Sequence, residues 1–110
     1  MAELLLAHHA DVHIQSSNGT PLHVASLMNH TNVMELLLAH GADINLKNKW
    51  GLTPLHCAAD SGSLEAVKLL VAKGAQINPK GERGWTPLRL AKSKGQQNVV
   101  DWLRQNGGQE

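Results

Sequence analysis

The 110-residue sequence contains no phenylalanine, no tyrosine and one cysteine, and its only aromatic residues are three tryptophans. A lone thiol, Cys57, cannot staple the fold to itself, which removes the disulfide-scaffold class and fits a reducing compartment. With aromatics at 3% of residues, the core has to be aliphatic, built from Leu, Ala and Val. No apolar run approaches the roughly 18 residues that a membrane span needs, and no secretory leader is recognisable at Met1. A soluble intracellular protein is expected, in the cytoplasm with the nucleus left open. Hydrophobic residues make up 42% and charged residues 17%, enough for a single domain over 1–110 that buries roughly two-thirds of its unfolded surface.

Basic residues are missing altogether from the first 46 positions. That stretch carries four acids (Glu3, Asp11, Glu35, Asp43) and a net charge of −4, whereas residues 47–110 hold all ten Lys and Arg against five acids, a net charge of +5. The chain is therefore electrically polar end to end. Six of its seven histidines (His8, His9, His13, His23, His30, His40) lie in the acidic part, so mild acid would cancel much of that polarity.

What the sequence does have is a period. Thr20-Pro21-Leu22-His23, Thr53-Pro54-Leu55-His56 and Thr86-Pro87-Leu88-Arg89 recur at intervals of 33 residues. Ala25, Ala58 and Ala91 keep step, as do Leu37, Leu70 and Leu103, and Gly41, Gly74 and Gly107. A fixed period over many columns marks an array of similar units. Each unit reads as two short helices. Thr before Pro places a hydroxyl N-cap ahead of a residue whose missing N–H costs nothing in the first turn, so helices of about eight residues should open at Pro21, Pro54 and Pro87. Asn29, Gly62 and Gly95 tolerate the left-handed backbone that turns the chain back. Second helices are expected at about 32–39, 65–73 and 98–105, stopped by Gly41, Gly74 and Gly107. Neither helix reaches the ~12–15 residues that an isolated helix needs, so stability has to come from stacking one unit on the next.

The stretch from Gly51 to Asn78, GLTPLHCAADSGSLEAVKLLVAKGAQIN, closely resembles the ankyrin repeat, and the resemblance extends over essentially the whole chain. It implies an all-α solenoid of helix-turn-helix pairs joined by β-hairpin-like loops at 41–53 and 74–86. The repeats are expected at 16–47, 48–80 and 81–110, after a partial unit at 1–15. That partial unit lacks a first helix, joins through a hairpin shortened by one residue, and carries His9 where Gly41 stands one unit later. It is expected to be the weak end, and its Leu4 and Leu5 to support weak self-association. At the other end Arg89, Lys92 and Arg104 should give the last unit a polar outer side.

No catalytic constellation emerges. His8, His9 and His13 with Asp11 straddle a helix end and a loop and follow no zinc spacing with cysteines. Cys57 and His56 are consecutive on a helix and diverge by about 100°, so they cannot act on each other. The resemblance instead gives His23 and His56 a structural role, hydrogen-bonding neighbouring backbone to tie units together. Glycine is plentiful, but no phosphate-binding G-x-G-x-x-G or P-loop occurs. No enzyme activity, cofactor or metal is expected.

A binding module remains. By resemblance, hairpin tips and the exposed face of each first helix form a concave ladder that contacts a partner protein. The surface so carried over comprises Ser17, Leu27 and Met28; Lys49, Trp50, Leu52, Asp60 and Ser61; and Arg83, Trp85, Ser93 and Lys94, with Glu82 beside them. Trp50 and Trp85 stand out because neither falls in a core column of the repeat, and Trp and Arg are enriched at interface hot spots. Trp102 replaces a core leucine and is structural. The competing reading, nucleic-acid or polyanion binding through Lys47, Lys49, Lys80, Arg83, Lys92 and Lys94, has only a modest basic patch behind it. A designed or excised array without a native partner would carry the same repeats.

Overall fold

The computed structural model describes residues 19–81 and 83–110. Ser17, Glu82 and the amino-terminal features at Leu4, Leu5, His8, His9, Asp11 and His13 lie outside them. Six helices occur among the described residues, in three consecutive pairs: α1 (Pro21–Leu27) with α2 (Thr31–Ala39), α3 (Pro54–Ser61) with α4 (Leu64–Ala72), and α5 (Pro87–Ser93) with α6 (Gln97–Gln105). The first helices pack in series, α1 on α3 and α3 on α5, and the second helices do the same. The described chain is an all-α repeat solenoid.

Each first helix opens at its proline behind an extended Thr. Thr53 Oγ1 accepts from the His56 N–H, and Thr86 Oγ1 from the Arg89 N–H, both at 3.3 Å. The turn residues take the left-handed backbone expected of them, with φ of 58° at Asn29, 75° at Gly62 and 73° at Gly95. Asn29 does more than turn. Its side-chain Oδ1 accepts from the Ala66 N–H at 3.0 Å, satisfying one of the orphan donors in the first turn of α4 in the next unit. The second helices start one residue earlier than the periodicity suggests, at 31, 64 and 97, because His30, Ser63 and Gln96 act as N-caps. Their carbonyls already accept the first intrahelical bonds, from Met34, Val67 and Val100.

The core is aliphatic and columnar. Leu22, Leu55 and Leu88, Met34, Val67 and Val100, and Leu37, Leu70 and Leu103 are all buried. The buried Ala25, Ala58 and Ala91 keep side-chain bulk small where first helices approach one another. Each fully buried Leu contributes about 1.5–3 kcal/mol, which offsets the ordering cost that helices of seven to nine residues could not meet alone. Trp102 packs against this core.

The connecting loops are hairpin-like turns without flanking strands, since no strand forms among the described residues. Asn48 N–H donates to Leu52 O at 2.8 Å and Gly51 N–H to Asn48 O at 2.9 Å. One unit on, Gly81 N–H donates to Trp85 O at 2.9 Å and Gly84 N–H to Gly81 O at 2.8 Å. Both tips are thereby fixed in the same shape.

Candidate interaction surface

Buried imidazoles decide where those tips stand. His56 Nδ1 accepts from the Thr53 N–H at 3.1 Å, so the ring proton sits on Nε2, which donates to Trp85 O at 2.7 Å. His23 repeats the arrangement, with Nδ1 accepting from Thr20 N–H at 3.1 Å and Nε2 donating to Leu52 O at 2.8 Å. Each ring thus caps its own helix and holds the tip of the following unit. Burial lowers the pKa of both below the usual 6.5, outweighing the carbonyls that favour the proton. Gly81 lets the fourth tip pack closely on the third, because a Cβ there would lie 3.2 Å from Leu52 Cδ2. The fourth unit has Arg89 in place of the histidine, and its guanidinium lies 4.8 Å from the centre of the Trp85 ring.

Between the third and fourth units the tips and first helices enclose a cleft of about 520 Å³. Of the residues carried over from the sequence, Trp50, Leu52, Asp60, Arg83, Trp85, Ser93 and Lys94 line it. Gly81 and Leu90 line it too, and sequence reasoning missed both, one as a turn glycine and the other as a helix residue between core columns. Trp50 is 42% exposed and Met28 57%, the large hydrophobic side chains most open to solvent among the described residues. Lys49 stands outside the cleft with its ammonium 4.6 Å from the centre of the Trp50 ring. Ser61 also falls outside it, its hydroxyl 2.7 Å from Ser63 Oγ. Leu27 and Met28 occupy, one unit earlier, the positions that Asp60 and Ser61 hold on α3 and Ser93 and Lys94 hold at the end of α5.

Charge in the cleft is mostly positive. Lys94 Nζ pairs with Asp60 Oδ1 at 3.6 Å, while Arg83 has no ion-pair partner among the described residues. Among the described residues that line it, two cations (Arg83, Lys94) stand against one carboxylate (Asp60), and the ring-stacked Lys49 and Arg89 lie just outside. The wider basic set does not form one continuous patch. Lys47 Nζ donates to Lys80 O at 3.0 Å, and Lys92 pairs with Glu110 at 3.2 Å.

Two family models match this architecture. One, described as ankyrin repeats (3 copies), matches residues 41–110, and the other, ankyrin repeats (many copies), matches residues 4–58. The chain belongs to the ankyrin-repeat family. Ankyrin repeats generally mediate protein–protein interaction and are typically non-enzymatic modules. No curated protein sequence matches the chain. Within this ankyrin-repeat array Cys57 is buried, and burial first, then the Asp60 charge, pushes its thiol up to about 12, which removes the thiolate that nucleophilic or metal-binding chemistry needs. Among the described residues no three His, Cys, Asp or Glu side chains come together as a metal site, and no helix is long and apolar enough to cross a membrane.

Proposed function

We propose that this ankyrin-repeat protein is a non-enzymatic interaction module that holds a partner protein on the concave surface formed by its hairpin tips and first helices. The observation that carries the reading is the pair of tryptophans, Trp50 and Trp85, brought from successive tips to line one cleft with Arg83 between them in sequence. Rigid aromatic rings beside a guanidinium are the side chains from which interface hot spots are most often built. Both rings are also available for it. Trp50 belongs to no core column, and Trp85 is held through its main-chain carbonyl, which leaves the ring to the cleft and to Arg89. The polyanion reading is weaker, because Lys47, Lys92 and Lys94 already have acceptors within the chain.

Trp50→Ala and Trp85→Ala are each expected to weaken capture of the partner from a source lysate by about 2 kcal/mol or more, with the helical circular dichroism unchanged. Lys68→Ala, on the exposed side of α4, should bind as the unaltered protein does. Normal binding by both tryptophan variants, or their unfolding, would remove the concave surface from consideration.

A further inference from the structure

Viewed along the stack, the concave surface is graded. The two columns at the end of the first helices read Leu27 and Met28 in the second unit, Asp60 and Ser61 in the third, and Ser93 and Lys94 in the fourth. Apolar side chains thus give way to polar and then basic ones. The Trp50–Trp85 cleft, with Leu52 and Leu90 as its apolar members and Arg83 and Lys94 as its cations, sits between the third and fourth units. Leu27 and Met28, the latter 57% exposed, continue the apolar surface on the other side. Cations outnumber the carboxylate among the described residues of the cleft. Its lone described carboxylate, Asp60, has Lys94 at ion-pair distance, 3.6 Å, although its buried Oδ1 accepts no hydrogen bond, whereas Arg83 offers a guanidinium with no ion-pair partner among the described residues. A cationic partner would meet Arg83, Lys94 and the ring-stacked Lys49 and Arg89.

We infer that the concave surface takes one extended, acidic segment of a partner protein, with an apolar side chain in the Trp50–Trp85 cleft, a flanking carboxylate on Arg83, and a second apolar side chain on Leu27 and Met28. This rests on the reading of the concave surface as the partner site and adds the chemistry and register of what binds there. Register follows from geometry. Packed helices lie about 8–10 Å apart, so the step from the cleft to the second unit, one and a half repeats, is about 12–15 Å. An extended chain covers about 3.3 Å per residue, which puts the two apolar anchors about four residues apart, with the acids clustered around the anchor that enters the cleft. The aliphatic end of the groove has no cation among its named residues and gives acids no reason to sit there.

The test is selection of phage-displayed random 12-residue peptides on the full chain. Enriched peptides should carry Asp or Glu beside one apolar residue and a second apolar residue about four positions away. Their affinity should fall at least tenfold in Arg83→Glu, less in Arg83→Gln, and should decline with salt for the unaltered protein but barely for Arg83→Gln. Peptides that need Trp50 and Trp85 but show no acidic enrichment, or no preferred anchor spacing, would overturn the inference and leave the interaction surface standing. Peptides indifferent to both tryptophans, or no enrichment at all, would overturn both. Displacement of the peptides by oligothymidylate would assign the cleft to single-stranded nucleic acid, and a concentration-dependent dimer abolished by Arg83→Glu would assign it to a second copy of the chain. Either result overturns the acidic-segment assignment.

Discussion

His56→Ala removes one side chain and strands two backbone groups, and the size of that effect can be worked from the hydrogen bonds. The ring is fully buried. It accepts from the Thr53 N–H at 3.1 Å and donates to Trp85 O at 2.7 Å. An unsatisfied buried donor or acceptor costs about 1–3 kcal/mol, so losing both partners costs about 2–6 kcal/mol before any cavity is counted. Trp85 O also accepts from the Gly81 N–H at 2.9 Å, which keeps it partly satisfied and pulls the expectation to the lower half, about 3 kcal/mol. For a small domain stable by roughly 5–15 kcal/mol, that is a large fraction. His56→Gln should recover part of the loss, since a side-chain carbonyl at this helix position can accept the Thr53 N–H as in a capping box. Urea unfolding followed by circular dichroism measures both variants. A loss under about 1 kcal/mol for His56→Ala, or a glutamine variant no better than alanine, would refute the idea that this imidazole holds the fourth unit to the third.

The remaining expectations follow from single contacts. Because burial holds His23 and His56 below the ordinary 6.5, the unfolded chain takes up protons first; stability should be flat above about pH 6.5 and fall as the pH drops below it, so a urea midpoint higher at pH 5.5 than at pH 7.5 would contradict this account. Asn29→Ala forces a residue that disfavours φ of 58° and deletes the bond to Ala66 N–H, about 1 kcal/mol for each; Asn29→Gly loses only the bond, so thermal unfolding should rank alanine below glycine. Cys57, with its thiol pushed up to about 12, should resist iodoacetamide in the native protein at pH 8 and react promptly in urea, and rapid native alkylation would show that the site is open.

The repeat skeleton was legible because a period of 33 compares like with like. Pro21, Pro54 and Pro87 mark the start of α1, α3 and α5 to the residue, and the Leu, Ala and Val columns identify the core. What escaped was everything that runs diagonally between units. Lys94 meets Asp60 across 34 positions, Gln96 Nε2 reaches Asp60 O across 36, and Asn29 reaches Ala66 across 37. A column comparison aligns position i with i + 33 and is blind to these offsets. The histidine ties, 29 positions long, were anticipated only through the family resemblance. The composition of the cleft suffered in the same way. Leu90 corresponds to the buried Cys57 one unit earlier, and Lys49 and Ser61, which share segments with cleft residues, do not line it but contact Trp50 and Ser63.

Placement and recognition use different atoms of the same residues. The third and fourth tips are held by the main-chain carbonyls of Leu52 and Trp85, gripped by His23 and His56, and by turn bonds between backbone groups. None of these bonds involves the side chain at positions 50, 52, 83 or 85. Side chains there can therefore differ from unit to unit, Trp50 against Arg83 and Leu52 against Trp85, without disturbing the columns that bury Leu22, Leu55 and Leu88. The grading of the concave surface from Met28 to Lys94 is possible for that reason. A helix end whose outward side chain makes no packing contribution can be apolar in one unit and cationic two units later, while the alanine column beneath keeps the helices at the same separation. The fourth unit shows where this independence stops. With Arg89 in place of the histidine, its guanidinium rests on the ring of Trp85, so a change at position 89 would alter the cleft wall from behind even though Arg89 itself lies outside the cleft.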